Sequence, residues 1–207
     1  MDIMDIILKH FNVCSIGYDC SIKRFINQYI DCVLYPFDYI GTPMWSINEL
    51  ILNNFNDITN INYFNEKINY NSKYNIRFTH DHHDILTFNT FIEKYDRRKK
   101  RFIKLLNTKC IYFRKNETNI NDKTIIKFQK YKIKELEHIK EFTKIINNAY
   151  VIYFTQFDET LFLEDNNIII IKYEGDLNWN NCIEKYNELI NNNIDFIIKC
   201  LKIDIIL

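Results

Sequence analysis

Cys110-Ile111-Tyr112-Phe113 carries four apolar residues in succession before the chain turns polar at Arg114. A strand with one wet face alternates polar and apolar residues, whereas a strand covered on both faces does not. The same unbroken pattern recurs in Val151-Ile152-Tyr153-Phe154 and Ile168-Ile169-Ile170-Ile171, and a shorter β-rich run over 11–16 ends at Gly17. Segments of helix length separate these runs. Together they predict strands near 11–16, 110–114, 150–155 and 168–173. The expected fold class is α/β, a single-domain three-layer sandwich over residues 1–207 with a mostly parallel sheet and helices on both faces.

The intervening segments have helical spacing. Ile22, Phe25, Ile26, Tyr29, Ile30 and Val33 place a helix over 20–33. A second is expected over 45–55 with Ser46 as its N-cap. A strongly charged helix spans 89–106, and a long one spans 122–146 with Ile133, Leu136, His138, Ile139, Phe142 and Ile146 among its periodic positions. A helix over 180–190 follows, which 194–207 extends or supplements with a last element. Pro36, Gly41 and Pro43 make 34–42 an irregular loop, 56–75 is polar and ambiguous, and 75–79 reads as a strand leading into a histidine cluster.

The composition limits the function classes. The chain has 207 residues, 47% of them hydrophobic and 15% aromatic, enough for a sizeable core. Lys plus Arg equals Asp plus Glu at 27 each, so no net field attracts polyanions, and nucleic acid is not an expected partner. The six cysteines show no CxxC spacing and sit mainly in apolar segments. That pattern predicts reduced, buried thiols in a cytoplasmic compartment (the host cytoplasm if the chain is viral). Met1 to Leu8 is interrupted by Asp2 and Asp5 without a basic leader, and no apolar run reaches membrane-span length. Neither a signal peptide nor a membrane span is expected.

In sheets of this kind, sites form beyond the carboxyl ends of the strands. There the first strand delivers Ser15-Ile16-Gly17-Tyr18-Asp19-Cys20, in which a cysteine opens a helix just after a glycine. The free N–H groups of a helix start favour a thiolate, which makes Cys20 the candidate nucleophile. Three of the five histidines fall in Thr79-His80-Asp81-His82-His83-Asp84. His80, or His82 or His83, would serve as base, oriented by Asp81 or by Asp38 of Tyr35-Pro36-Phe37-Asp38. Adjacent residues seldom converge on one ion and no HExxH spacing is present, so neither a metal nor another cofactor is expected. Ser15, Gly17, Tyr18, Arg98, Arg101 and Arg114 are the expected substrate-binding residues.

Taken in order, SIGYDC, YPFDYIG, FTHD, YDRRKKRF and CIYFRKN resemble a family of bacteria and large DNA viruses catalogued as papain-like cysteine peptidases. The resemblance covers roughly residues 13 to 116. It implies that Cys20 matches the candidate nucleophile of that family, that His80 and Asp81 match its His-Asp step, and that Asp38 matches its Pro-Phe-Asp acid. The leading expectation is therefore a cysteine-dependent hydrolase or acyl transferase acting on a peptide or acyl compound. Two alternatives stand beside it. One is a non-catalytic viral binding module acting on a host protein or ligand. The other is a phosphate- or nucleotide-handling protein using Arg97, Arg98, Arg101 and Arg114.

Overall fold

A computed structural model describes residues 2–31, 33–60, 62–65, 70–78, 88–116, 125–156, 167–175, 177 and 180–203, with backbone alone at 64–65 and 125–134. Four strands, β1 (Asn12–Ser15), β5 (Cys110–Lys115), β6 (Ala149–Thr155) and β7 (Ile168–Lys172), form one sheet in the order β1-β5-β6-β7. Every pairing in it is parallel. The unbroken apolar runs supply both faces of this sheet. Cys110 and Tyr112 of β5 point to one core, and Ile111 and Phe113 to the other; Val151 and Tyr153 of β6 likewise oppose Ile152 and Phe154.

The first core is closed by α3 (Met44–Leu52), α4 (Phe88–Leu106) and α5 (Ile125–Ile145), the second by α1 (Ile3–His10), α2 (Cys20–Ile26), α6 (Cys182–Asn192) and α7 (Ile194–Leu201). Helix α4 illustrates why a charged sequence makes a core helix. Phe91, Tyr95, Phe102 and Leu105 share one buried stripe, while most of its charges lie on the other face. Among the described residues, no helix is long and apolar enough to cross a membrane.

Several local expectations are corrected. Residues 3–10 form a helix, capped by the Asp2 carboxylate on the Met4 N–H at 2.8 Å. Helix α2 ends at Ile26 rather than running to 33, because 27–30 fold into turns and Lys23 reaches out to the Val33 carbonyl at 2.7 Å. Ser46 is not an N-cap: α3 starts at Met44 after Pro43, and the Ser46 hydroxyl donates to the Tyr74 carbonyl. The strand expected at 75–79 is Ile76–Arg77 (β4), which joins β2 (Phe64–Asn65) and β3 (Tyr70–Asn71) in a small antiparallel sheet. It therefore does not extend the parallel sheet.

Candidate functional site

The chain leaves β1 into α2 on the second core and follows β5 with α5 on the first core. Neighbouring strands whose next helices go to opposite faces leave a crevice between their carboxyl ends, where parallel sheets place their sites. Cys20 stands at that crevice. Ser15 and Gly17 make the turn into it: the buried Ser15 hydroxyl accepts from the Gly17 N–H at 3.2 Å. A Cβ on Gly17 would lie 3.2 Å from Ile22 Cδ1 and from the Asp19 carbonyl oxygen, so a side chain there would need both neighbours to give by a few tenths of an ångström.

Asp19 then caps α2. Its Oδ1 accepts from the Ser21 N–H at 2.8 Å and from the Ser21 hydroxyl at 2.5 Å. Its Oδ2 accepts from Lys115 Nζ at 2.7 Å, and the same ammonium donates to the Leu177 carbonyl at 2.5 Å. The Ser21 hydroxyl continues to the Tyr186 phenol at 3.0 Å. The buried Tyr173 phenol donates to Asn116 Oδ1 at 3.0 Å. Cys20 thus sits beside a polar network built from α2, α6 and the end of β5, while the Tyr173–Asn116 pair joins the ends of β7 and β5.

Cys20 occupies the first turn of α2 and is half-buried, whereas Cys14, Cys110 and Cys182 are buried. Burial raises the Cys20 thiol above the ordinary cysteine value, the Asp19 charge adds to this, and the Cys20 N–H and Lys115 oppose it. The cap that starts the helix therefore works against the thiolate that the helix start would favour.

Asp38 lies in the interior, against Lys23 of α2. It is fully buried, with Oδ2 accepting from the Tyr35 N–H at 2.8 Å and lying 3.4 Å from the equally buried Lys23 ammonium. Its other oxygen has no partner among the described residues. Burial pushes its carboxyl up from 3.8 to about 6, against the pull of Lys23, the Tyr35 N–H and Arg98.

Of the expected binding arginines, Arg114 is 1% exposed and holds the frame together. Nη1 donates to the carbonyls of Ile16 at 2.8 Å and Thr42 at 2.9 Å, and Nε and Nη2 both meet Glu135 Oε1 at 2.8 Å. Arg98 is buried against Tyr95, and Arg101 lies on the surface, donating to the Leu34 carbonyl at 3.3 Å. Tyr18 is half-buried at the crevice mouth. His80, Asp81, His82 and His83 lie outside the described residues. No family model, curated protein or solved structure matches this chain. Among the described residues, no cluster of three or more metal-ligating side chains is present.

Sequence reasoning marked 114–116 as a strand end where a site would form but gave Lys115 and Asn116 no role, and it missed Tyr173 and Tyr186. Tyr173 and Tyr186 carried no signal, because a buried tyrosine in a core stripe looks like any other apolar position.

Proposed function

We propose that the protein is a cysteine-dependent hydrolase or acyl transferase with Cys20 as its nucleophile. The supporting observation is that Cys20 is the half-exposed thiol at the carboxyl edge of a parallel sheet, beside a buried polar network. Cys200, the other half-exposed thiol among the described residues, belongs to α7. Because Cys20 is held protonated by burial and Asp19, attack requires a base to remove the thiol proton. In this reading the base comes from His80, His82 or His83, with Asp81 to orient it. The ordered motifs that resemble the papain-like peptidases favour the same assignment. Asp38, paired with Lys23 in the interior, fits a role in holding the 35–38 loop better than one beside an imidazole.

The test is acylation by p-nitrophenyl acetate, followed by intact mass and peptide mapping. Wild type should carry one acetyl group on Cys20, and Cys20→Ala or His80→Ala should carry none while remaining folded. Acylation of Cys200 in preference to Cys20 would overturn the assignment. The charge of Asp19 beside the thiol favours a second reading, a non-catalytic binding module, and a wild type inert toward acyl donors would support it.

A further inference from the structure

A cavity of about 280 Å³ opens at the amino edge of the parallel sheet, the edge opposite Cys20. Tyr150 and Ile169, the second residues of β6 and β7, line it together with Asn167, which precedes β7. Helix α7 supplies Phe196, Lys199 and Cys200, which share one face at i, i+3 and i+4, and Lys202 follows as its C-cap. Ile169, Phe196, Cys200 and the Tyr150 ring give the lining an apolar part. Lys199 and Lys202 give it two cations, the Tyr150 hydroxyl and the Asn167 amide add neutral donors, and no carboxylate lines it. Among the described residues, nothing forms a hydrogen bond or ion pair with the Tyr150 hydroxyl or with the side chains of Asn167, Lys199 and Lys202. The two lysine side chains are not needed to close α7, because the Lys202 and Ile203 N–H groups donate to the Lys199 and Ile198 carbonyls at 3.2 Å each. Lys109 adds a third ammonium 5.8 Å from the Tyr150 ring centroid. Cations gathered over apolar surface without acids make a local positive field on a chain whose net charge is zero.

We propose that this cavity binds a small organic anion, whose apolar body lies against Tyr150, Ile169 and Phe196 and whose carboxylate or phosphate head accepts from Lys199 and Lys202. The volume falls just below the roughly 300–1,000 Å³ of sites for drug-sized ligands, which limits the body to one or two rings or a short acyl chain. The apolar contact supplies affinity, and the paired ammoniums select for charge. The Tyr150 hydroxyl and the Asn167 amide are the further donors that can orient the head. The site is independent of Cys20, and no bond is made or broken in it. Cys200, half-exposed in the lining, is covered when the cavity is filled.

The experiment uses Cys200 as the reporter. Iodoacetamide alkylation of Cys200 and Cys20 is followed by peptide mapping of the full chain, with and without 2-naphthoate or 2-naphthyl phosphate. At ten times its dissociation constant, a ligand that covers the sulfur should slow Cys200 alkylation about tenfold, since only the free fraction reacts, and leave Cys20 unchanged. The more protective of the two anions identifies the head. 2-Naphthylmethanol carries the rings without the charge, and inorganic phosphate the charge without the rings. Each should need at least about ten times the concentration for the same protection, the worth of one charge-assisted hydrogen bond. Replacing both lysines, Lys199→Gln with Lys202→Gln, should weaken protection by the anions about tenfold and leave that by 2-naphthylmethanol unchanged. Cys200 unprotected by either anion, equal protection by 2-naphthylmethanol or by inorganic phosphate, equal protection of Cys20, or protection that survives the double substitution would overturn the proposal.

Discussion

Replacing Asp38 by Asn tests which force governs the buried pair with Lys23. Both side chains are inaccessible, 3.4 Å apart. Pairing alone would depress the Asp38 pKa, while burial raises it, and burial wins: the carboxyl stands at about 6 against 3.8 in water. At about 1.36 kcal/mol per pH unit, that difference is roughly 3 kcal/mol. Below pH 4 the carboxyl is protonated in both folded and unfolded chains, so nothing is lost. Between about pH 4 and 6 the unfolded chain releases its proton first, and folding stability falls by roughly 3 kcal/mol through this group. Asn has nearly the shape of the protonated carboxyl and cannot titrate. All other carboxyls are common to both proteins, so the difference in stability isolates Asp38. Urea unfolding at constant ionic strength, followed by tryptophan fluorescence, should find Asp38→Asn gaining roughly 3 kcal/mol on wild type from pH 4 to 7. Parallel curves, or a wild type that gains on the variant as pH rises, would refute the reasoning and put pairing with Lys23 ahead of burial.

Two other substitutions probe the frame and the thiol. Arg114→Ala should cost about 3–5 kcal/mol, because it strands Glu135 and the carbonyls of Ile16 and Thr42. Arg114→Lys should recover only part of this in thermal unfolding, since an ammonium lacks the guanidinium fork; full recovery would mean that charge alone matters. Asp19→Asn keeps the capping oxygen but removes the carboxylate beside Cys20 and the partner of Lys115. Its Cys20 thiol should ionise at lower pH, so iodoacetamide alkylation at pH 7 should be faster than in wild type. A slower or equal rate would show that Asp19 does not hold the thiol down. The exposure of a third of Asp19 limits the accompanying stability loss to about 2 kcal/mol.

The sheet was legible because its physics is local. Three segments without alternation pointed to strands covered on both faces, a shorter β-rich run ending at Gly17 pointed to a fourth, and all four are parallel strands at nearly the expected bounds. Helix ends were less legible: α2 stops at Ile26, and neither its cap at Asn27 nor the bond from Lys23 to the Val33 carbonyl has a trace in periodicity. Helix α1 was overlooked for a related reason. Its aspartates looked like interruptions of an apolar leader, but Asp2 is a cap and Asp5 lies on the exposed face. Cys20 at a helix start and the buried Cys14 and Cys110 followed directly from their positions. The sign of the Cys20 shift did not, because the helix-start argument counted backbone N–H groups and left out the carboxylate that caps them.

The capping carboxylate bears on how the crevice can work. Asp19 and Lys115 form one neutral unit at 2.7 Å, but the carboxylate acts on Cys20 more strongly than the ammonium does. A sulfur in such a place is not a standing thiolate. It becomes one only when its proton has somewhere to go, which couples nucleophile formation to the arrival of a base and limits random oxidation of a half-exposed thiol. The two aspartates near α2 therefore have different effects. Asp38, in the interior, holds the 35–38 loop through Tyr35 and Lys23. Asp19, a third exposed, fixes the first turn of α2 and raises the threshold for its cysteine. A rate of Cys20 alkylation that climbs steadily through the alkaline range in wild type, and at lower pH in Asp19→Asn, is the behaviour this division of roles requires.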